Sequence, residues 1–161
     1  MKIELDLAQH LAAPTPPEET VDQQLVDAAA EWVCKNYKIE TLTVSVSIVD
    51  DPTIHALNNE HLQHDWPTDV ISFVFSSENG VVDGEIIASV DTARRLAEQT
   101  EWRTKDELLL YIVHGLLHLA GLDDQTDDQQ EEMRQAEQRC LVELGIQGAD
   151  SHINRWEDIG D

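Results

Sequence analysis

Apolar residues along this chain follow two clear periods. Leu42, Val44, Val46 and Ile48 alternate with Thr43, Ser45 and Ser47. That is the pattern of a strand with one buried face, and it predicts a strand over Thr41–Val49. Shorter stretches of the same kind predict strands at Lys2–Leu7, Val70–Phe75 and Val81–Ser89. The last two are joined through Ser77-Glu78-Asn79-Gly80, where Asn-Gly favours a tight hairpin turn. Spacings of three and four predict helices elsewhere. One covers Glu18–Tyr37, carrying Val21, Leu25, Ala28, Ala29 and Trp32, with acidic residues at its start to suit the helix dipole. A shorter one covers Asp51–Gln63, and three more follow at Asp91–Glu101, Thr104–Ala120 and Thr126–Gly145. In the last of these Thr126 is the expected cap, and Met133, Ala136, Cys140, Leu141 and Leu144 share one face. Prolines in Ala12–Pro17 make a stiff connector before the first helix. This order of elements predicts an α+β fold, a small mixed sheet of about four strands packed with about five helices. Residues 1–145 read as one domain and 146–161 as an acidic tail, with Trp156 the one residue there suited to docking.

The helix Thr104–Ala120 stands apart from the others. Leu108 to Ala120 is apolar almost all round, so the helix is expected to be buried, yet it carries His114 and His118. Four residues apart, the two imidazoles share a face and can each direct a ring nitrogen at a single ion. The spacing alone fits two satisfied core histidines equally well. Gly121 then suits a left-handed helix end, after which Asp123 and Asp124 stand where a third ligand would be needed. Two histidines and a carboxylate leave a position open, as catalytic metal sites do; solvated, turn-capping aspartates are the alternative. Zinc peptidases of the H-E-x-x-H type place a glutamate where this chain has Gly115, which cannot take a proton. A glycine in mid-helix costs about 1 kcal/mol relative to alanine, so space for a backbone or a substrate is its expected benefit.

Composition narrows the partners. The 161 residues are 41% hydrophobic, enough for a core, and no stretch approaches the length of a membrane span. The first residues alternate apolar and charged and lack the apolar region of a secretory signal, so a cytoplasmic protein is expected. Cys34 and Cys140 fit that compartment as buried, unpaired thiols. Acidic residues outnumber basic ones by 33 to 10, for a net charge of −23. Such a charge repels a polyanion at long range, and the compact basic group Arg94, Arg95, Arg103 and Lys105 is either a local patch or a set of solvated helix ends.

The segment from His114 to Asp124, with Leu57-Asn58, Asp65–Phe73 and Gly84–Ser89 upstream of it, resembles the YbeY family of bacterial metal-dependent endoribonucleases. His114-Gly115-Leu116-Leu117-His118-Leu119-Ala120-Gly121-Leu122-Asp123-Asp124 is similar to that family's HGxLHLxGYDH signature. Upstream, Leu57-Asn58 and Asp65-Trp66-Pro67-Thr68-Asp69-Val70-Ile71-Ser72-Phe73 resemble its LN…DxPTDVLSF segment, and Gly84-Glu85-Ile86-Ile87-Ala88-Ser89 its GDIxIS strand. Order and spacing agree over about residues 40 to 145. The resemblance implies a metal helix beneath a cleft and one divalent ion, zinc in the first instance, on His114, His118 and Asp124. It implies cleavage of single-stranded RNA in rRNA maturation and ribosome quality control. The partners would be rRNA and the small ribosomal subunit or an associated ribosomal protein, without DNA or a membrane. Three departures bear on this. Asp124 stands where the family has its third histidine, and carboxylate remains a competent ligand. Leu122 replaces a tyrosine. Leu62 aligns with an arginine that in the family lies near the metal and supports cleavage, and leucine cannot bind phosphate or offset charge. His61 and His64 flank that position as replacement donors or as solvent-facing side chains. The catalytic group is therefore left unassigned, and an assembly factor that keeps the fold but cleaves poorly is the alternative to an active nuclease.

Overall fold

The computed structural model of the chain describes residues 1–10, 16–62, 70–146 and 148, with the backbone alone for 58–62. Four strands form one mixed sheet: β1 (Lys2–Gln9), β2 (Thr41–Val49), β3 (Val70–Glu78) and β4 (Val81–Ser89), in the spatial order β1-β2-β4-β3. The pairs β1–β2 and β2–β4 are parallel, and β3 runs antiparallel to β4 at the edge. Parallel neighbours need a crossover, which α1 (Gln23–Asn36) supplies between β1 and β2. Between β2 and β4 come α2 (Asp51–Leu62) and the edge strand. After the sheet follow α3 (Val90–Ala97), α4 (Thr104–Leu119) and α5 (Asp127–Glu143). Among the described residues no helix is long and apolar enough to cross a membrane.

The α+β architecture agrees with the sequence pattern, and the differences sit at element ends. The first helix begins at Gln23 rather than Glu18, because Asp22 caps it by accepting the Gln24 N–H at 2.9 Å. Just before it, Val21 is held extended by the Gln9 side chain, which accepts the Val21 N–H at 3.0 Å and donates to its carbonyl at 3.2 Å. Glu18 and Glu19 therefore lie in a short 3-10 turn at Pro17–Glu19 instead of a helical first turn. The third helix stops at Ala97, where the Thr100 hydroxyl takes over by donating to the Ala97 carbonyl and accepting from the Trp102 amide. Strand β3 runs on to Glu78 through a bulge at Phe75, since Val74 faces Gly84 and Ser76 already faces Asp83. The expected turn is present, with Asn79 and Gly80 at φ of 54° and 79°.

Successive residues of β4 point to opposite faces of the sheet, and both faces are covered. Ile86 belongs to the main core with α1, α4 and α5, whereas Ile87 joins Val49, Ile54 and Ile71 on the side of α2. Cys34 and Cys140 are unpaired in the main core, where burial pushes their thiols up to about 11 and about 12. Helix α4 is its centrepiece, with every residue from Glu107 to Leu117 buried. It lies so close to β4 that two glycines are required. A Cβ on Gly115 would fall 2.8 to 3.0 Å from the Ile86 side chain. The space expected there for a backbone or a substrate is thus filled by Ile86. On Gly84 a Cβ would meet the Leu119 side chain at 2.5 Å and the Phe73 carbonyl oxygen at 2.6 Å.

These contacts separate two substitutions. Gly84→Ala must displace backbone and is expected to cost about 3 kcal/mol, the upper range for overpacking. Gly115→Ala crowds only a side chain and regains about 1 kcal/mol of helix propensity, so its loss should be smaller. Equilibrium urea denaturation of the two variants checks the order.

Candidate metal centre

The site is built where α4 ends. Gly121, at φ +103°, lets the helix close on itself: its N–H donates to the His118 carbonyl and that of Leu122 to the Leu117 carbonyl, both at 3.0 Å. This turn brings the Leu122 carbonyl oxygen back to His118, whose Nδ1–H donates to it at 3.0 Å. Asp124 follows, its amide donating to the Asp123 carboxylate at 2.9 Å and its carbonyl accepting from the Gln130 side chain at 3.1 Å. Helix α5 then starts at the expected cap, with Thr126 Oγ1 accepting from the Gln129 amide and Gln129 Oε1 accepting from the Thr126 amide.

Three side chains meet in front of this turn. His114 Nε2 and His118 Nε2 are 3.0 Å apart, and Asp124 Oδ2 is 3.5 Å from each. The rings stand edge to face, 81° apart. His114 is buried, whereas the Asp124 side chain is 39% exposed, so the cluster opens to solvent on the aspartate side. The Asp124 carboxyl is held well below the usual carboxylate range by its contacts with His114 and His118, against the opposing effect of partial burial. Asp123 is exposed and serves the turn.

The donor set can hold a metal ion. His118 Nδ1 faces a carbonyl oxygen and His114 Nδ1 faces the carboxylate of Glu137 at 2.5 Å, so both δ nitrogens carry protons. Rings whose only proton is on Nδ1 would present two Nε2 lone pairs and a carboxylate oxygen to a shared cation. A tetrahedral zinc with bonds of about 2.0–2.1 Å sets its ligand atoms roughly 3.3 Å apart, close to the separations found here.

Glu137 is the residue that the sequence pattern did not single out. The available signal was its place on α5 among Met133, Ala136, Cys140 and Leu141, a carboxylate on the apolar face. Of the other residues considered, Leu62 ends α2. Its side chain and that of His61, together with His64 and Pro67-Thr68-Asp69, lie outside the described residues, as do Trp156 and nearly all of the tail. Of the basic group Arg94, Arg95, Arg103 and Lys105, the three arginines are paired. Arg94 pairs with Glu19 and Asp91, Arg95 with Asp51, and Arg103 with Asp106. Arg103, eleven residues before His114 along α4, is also about 16 Å from it at 1.5 Å per residue.

The two histidines differ in what their loss exposes. In metal-free protein His114→Ala leaves the buried Glu137 carboxylate without its imidazole partner and should cost about 3 kcal/mol. His118→Ala removes a hydrogen bond to a half-exposed carbonyl and should cost about 1 kcal/mol. Urea titrations in the presence of chelator compare them.

Sequence comparisons identify the relatives of this site. The family model for endoribonuclease YbeY matches residues 13–145. An endoribonuclease YbeY from Chloroherpeton thalassium is 41% identical over 130 residues, which are 78% of this chain and 92% of that protein. Another from Halalkalibacterium halodurans is 31% identical over 158 residues, 91% of this chain and 98% of that one. The endoribonuclease YbeY of Rhodopirellula baltica is 47% identical over 107 residues, 65% of this chain, and only 55% of that longer protein is spanned. The solution structure of a Thermotoga maritima protein shares the fold at a TM-score of 0.57 and 22% identity, covering 91% of this chain and 95% of that one. With a family match over most of its length and relatives aligned almost end to end, the chain belongs to the endoribonuclease YbeY family.

Proposed function

We propose that the protein is a metal-dependent endoribonuclease that cuts single-stranded RNA, acting in rRNA maturation and ribosome quality control. The observation that carries this is the convergence of His114 Nε2, His118 Nε2 and Asp124 Oδ2 on one point open to solvent. Family membership supplies the substrate class, since the named relatives are endoribonucleases. Under this reading the three side chains hold one divalent ion, zinc in the first instance, and the small ribosomal subunit or an associated ribosomal protein is the partner. The bound ion supplies Lewis-acid polarisation of a phosphoryl oxygen and activation of water at neutral pH.

The chain's own residues then divide the work. The two neutral imidazoles hold the ion without cancelling its charge, and Asp124 contributes one negative charge where the family has a neutral ring. A site so composed carries less positive charge toward a phosphate than three histidines would give. Leu62 reduces the attraction further, because leucine offers neither charge nor a hydrogen bond to a phosphate. That residue favours the second reading, an assembly factor of the ribosome that keeps the fold and the ion while cleaving poorly.

Mass spectrometry of the intact protein, prepared without a histidine tag, is expected to find close to one zinc per chain, falling sharply in His114→Ala and in Asp124→Ala. A well-folded protein that takes up no zinc even when it is supplied would remove the metal reading. The zinc-loaded protein is expected to cleave single-stranded RNA, and folded His114→Ala to lose that activity. Cleavage that appears only in Leu62→Arg would instead establish the assembly factor.

A further inference from the structure

Helix α5 turns one face to the core, and on that face Met133, Ala136, Cys140 and Leu141 are buried as its apolar period requires. Glu137 shares the face and is 3% exposed. A carboxylate in such a place carries a large desolvation cost unless a partner meets it. One partner in the structure is the Nδ1 of His114, 2.5 Å from Glu137 Oε2 and so within close hydrogen-bonding reach. His118 is served differently, by the carbonyl of Leu122 at 3.0 Å, which the helix-ending turn presents whatever side chain stands at that position.

We propose that Glu137 is the positioning residue of the metal centre: its carboxylate holds the proton on His114 Nδ1, and so presents that ring's Nε2 bare and correctly aimed. The inference rests on the reading that His114, His118 and Asp124 hold the ion. Three consequences follow from the geometry. An imidazole that donates from Nδ1 has its lone pair on Nε2, the atom turned toward His118 and Asp124. The ring is fixed against rotation, because the bond joins two helices and not two parts of a flexible loop. Nε2 also becomes a better electron donor when a negative charge draws on the opposite N–H. Charge balance agrees as well. One carboxylate at the ion and one behind its ligand together match the charge of a divalent cation.

The test uses the full chain and reads the rings directly. Long-range proton–nitrogen correlation spectra of the metal-free protein report which nitrogen of each histidine carries the proton. His114 is expected in the Nδ1–H form. A His114 ring that lacks a proton on Nδ1 in the wild-type protein would overturn the proposal without any variant. In Glu137→Ala the His114 ring should become a mixture of tautomers while His118 is unchanged, and zinc affinity, read by competition with a coloured chelator, should fall about 10- to 100-fold. Glu137→Gln has nearly the same shape and keeps an acceptor oxygen. It should retain the Nδ1–H form and lose only about 10-fold in affinity. A folded Glu137→Ala with wild-type zinc affinity and an unchanged His114 tautomer refutes the assignment. If the wild-type protein takes up no zinc, the metal reading fails by itself, and the tautomer spectra still decide whether Glu137 sets His114.

Discussion

The close contact between α4 and β4 governs the rest of the molecule. Gly84 lies against Leu119 and Gly115 against Ile86, and neither position has room for a Cβ. Two such contacts, one turn apart along the helix, fix both the depth and the rotation of α4 on the sheet. Because each helical residue advances by about 100°, turning Gly115 toward the sheet turns His114 away from it, toward α5 and the helix-ending turn. The direction in which the histidines point is therefore set by packing on an adjoining side of their own helix. An α4 that rode higher on the sheet would keep the same sequence motif and lose its aim.

That dependence explains how far the sequence could be read. Alternation in β2 and the apolar girth of α4 are one-dimensional signals of burial, and both elements stand where the pattern put them. The boundary of α1 was not legible as a period, since it is decided by Gln9, twelve residues upstream, taking the amide of Val21. The cluster of His114, His118 and Asp124 follows from local geometry, a helical turn and then a glycine-closed reversal, so its members could be named in advance. Glu137 lies 23 residues from His114 and reaches it only through the packing of two helices. Its trace in the sequence was a charge on an apolar face, which by itself names no partner.

The charge of the protein acquires a more specific meaning in the structure. Arg94, Arg95 and Arg103 are held by acidic neighbours and tie α3, α2 and the start of α4 into place. Asp51, for instance, accepts from Ser89, Thr92 and Arg95 at once, at 2.5, 2.9 and 2.6 Å, and so joins the beginnings of two helices. Paired in this way, the three arginines offer no free basic patch to a polyanion on a protein of net charge −23. Under the proposed function, attraction of RNA to such a surface would be short-ranged, since surface charges are screened beyond about 10 Å at moderate salt.

The turn at Gly121 joins two tasks that are usually separate. It terminates α4, and it also delivers the carbonyl that orients His118 and the carboxylate that faces both rings. Under the proposed metal reading, order in residues 119–126 and occupancy of the centre would for that reason be thermodynamically linked. An ion held by the three side chains would close the end of the helix as a clasp closes a band, with part of the energy of binding spent on local order. Two of the three side chains, those of His114 and His118, stand on α4 itself, and only Asp124 belongs to the turn. Under the proposed metal reading, loosening that short segment would withdraw the carboxylate and leave both imidazoles in place on the helix.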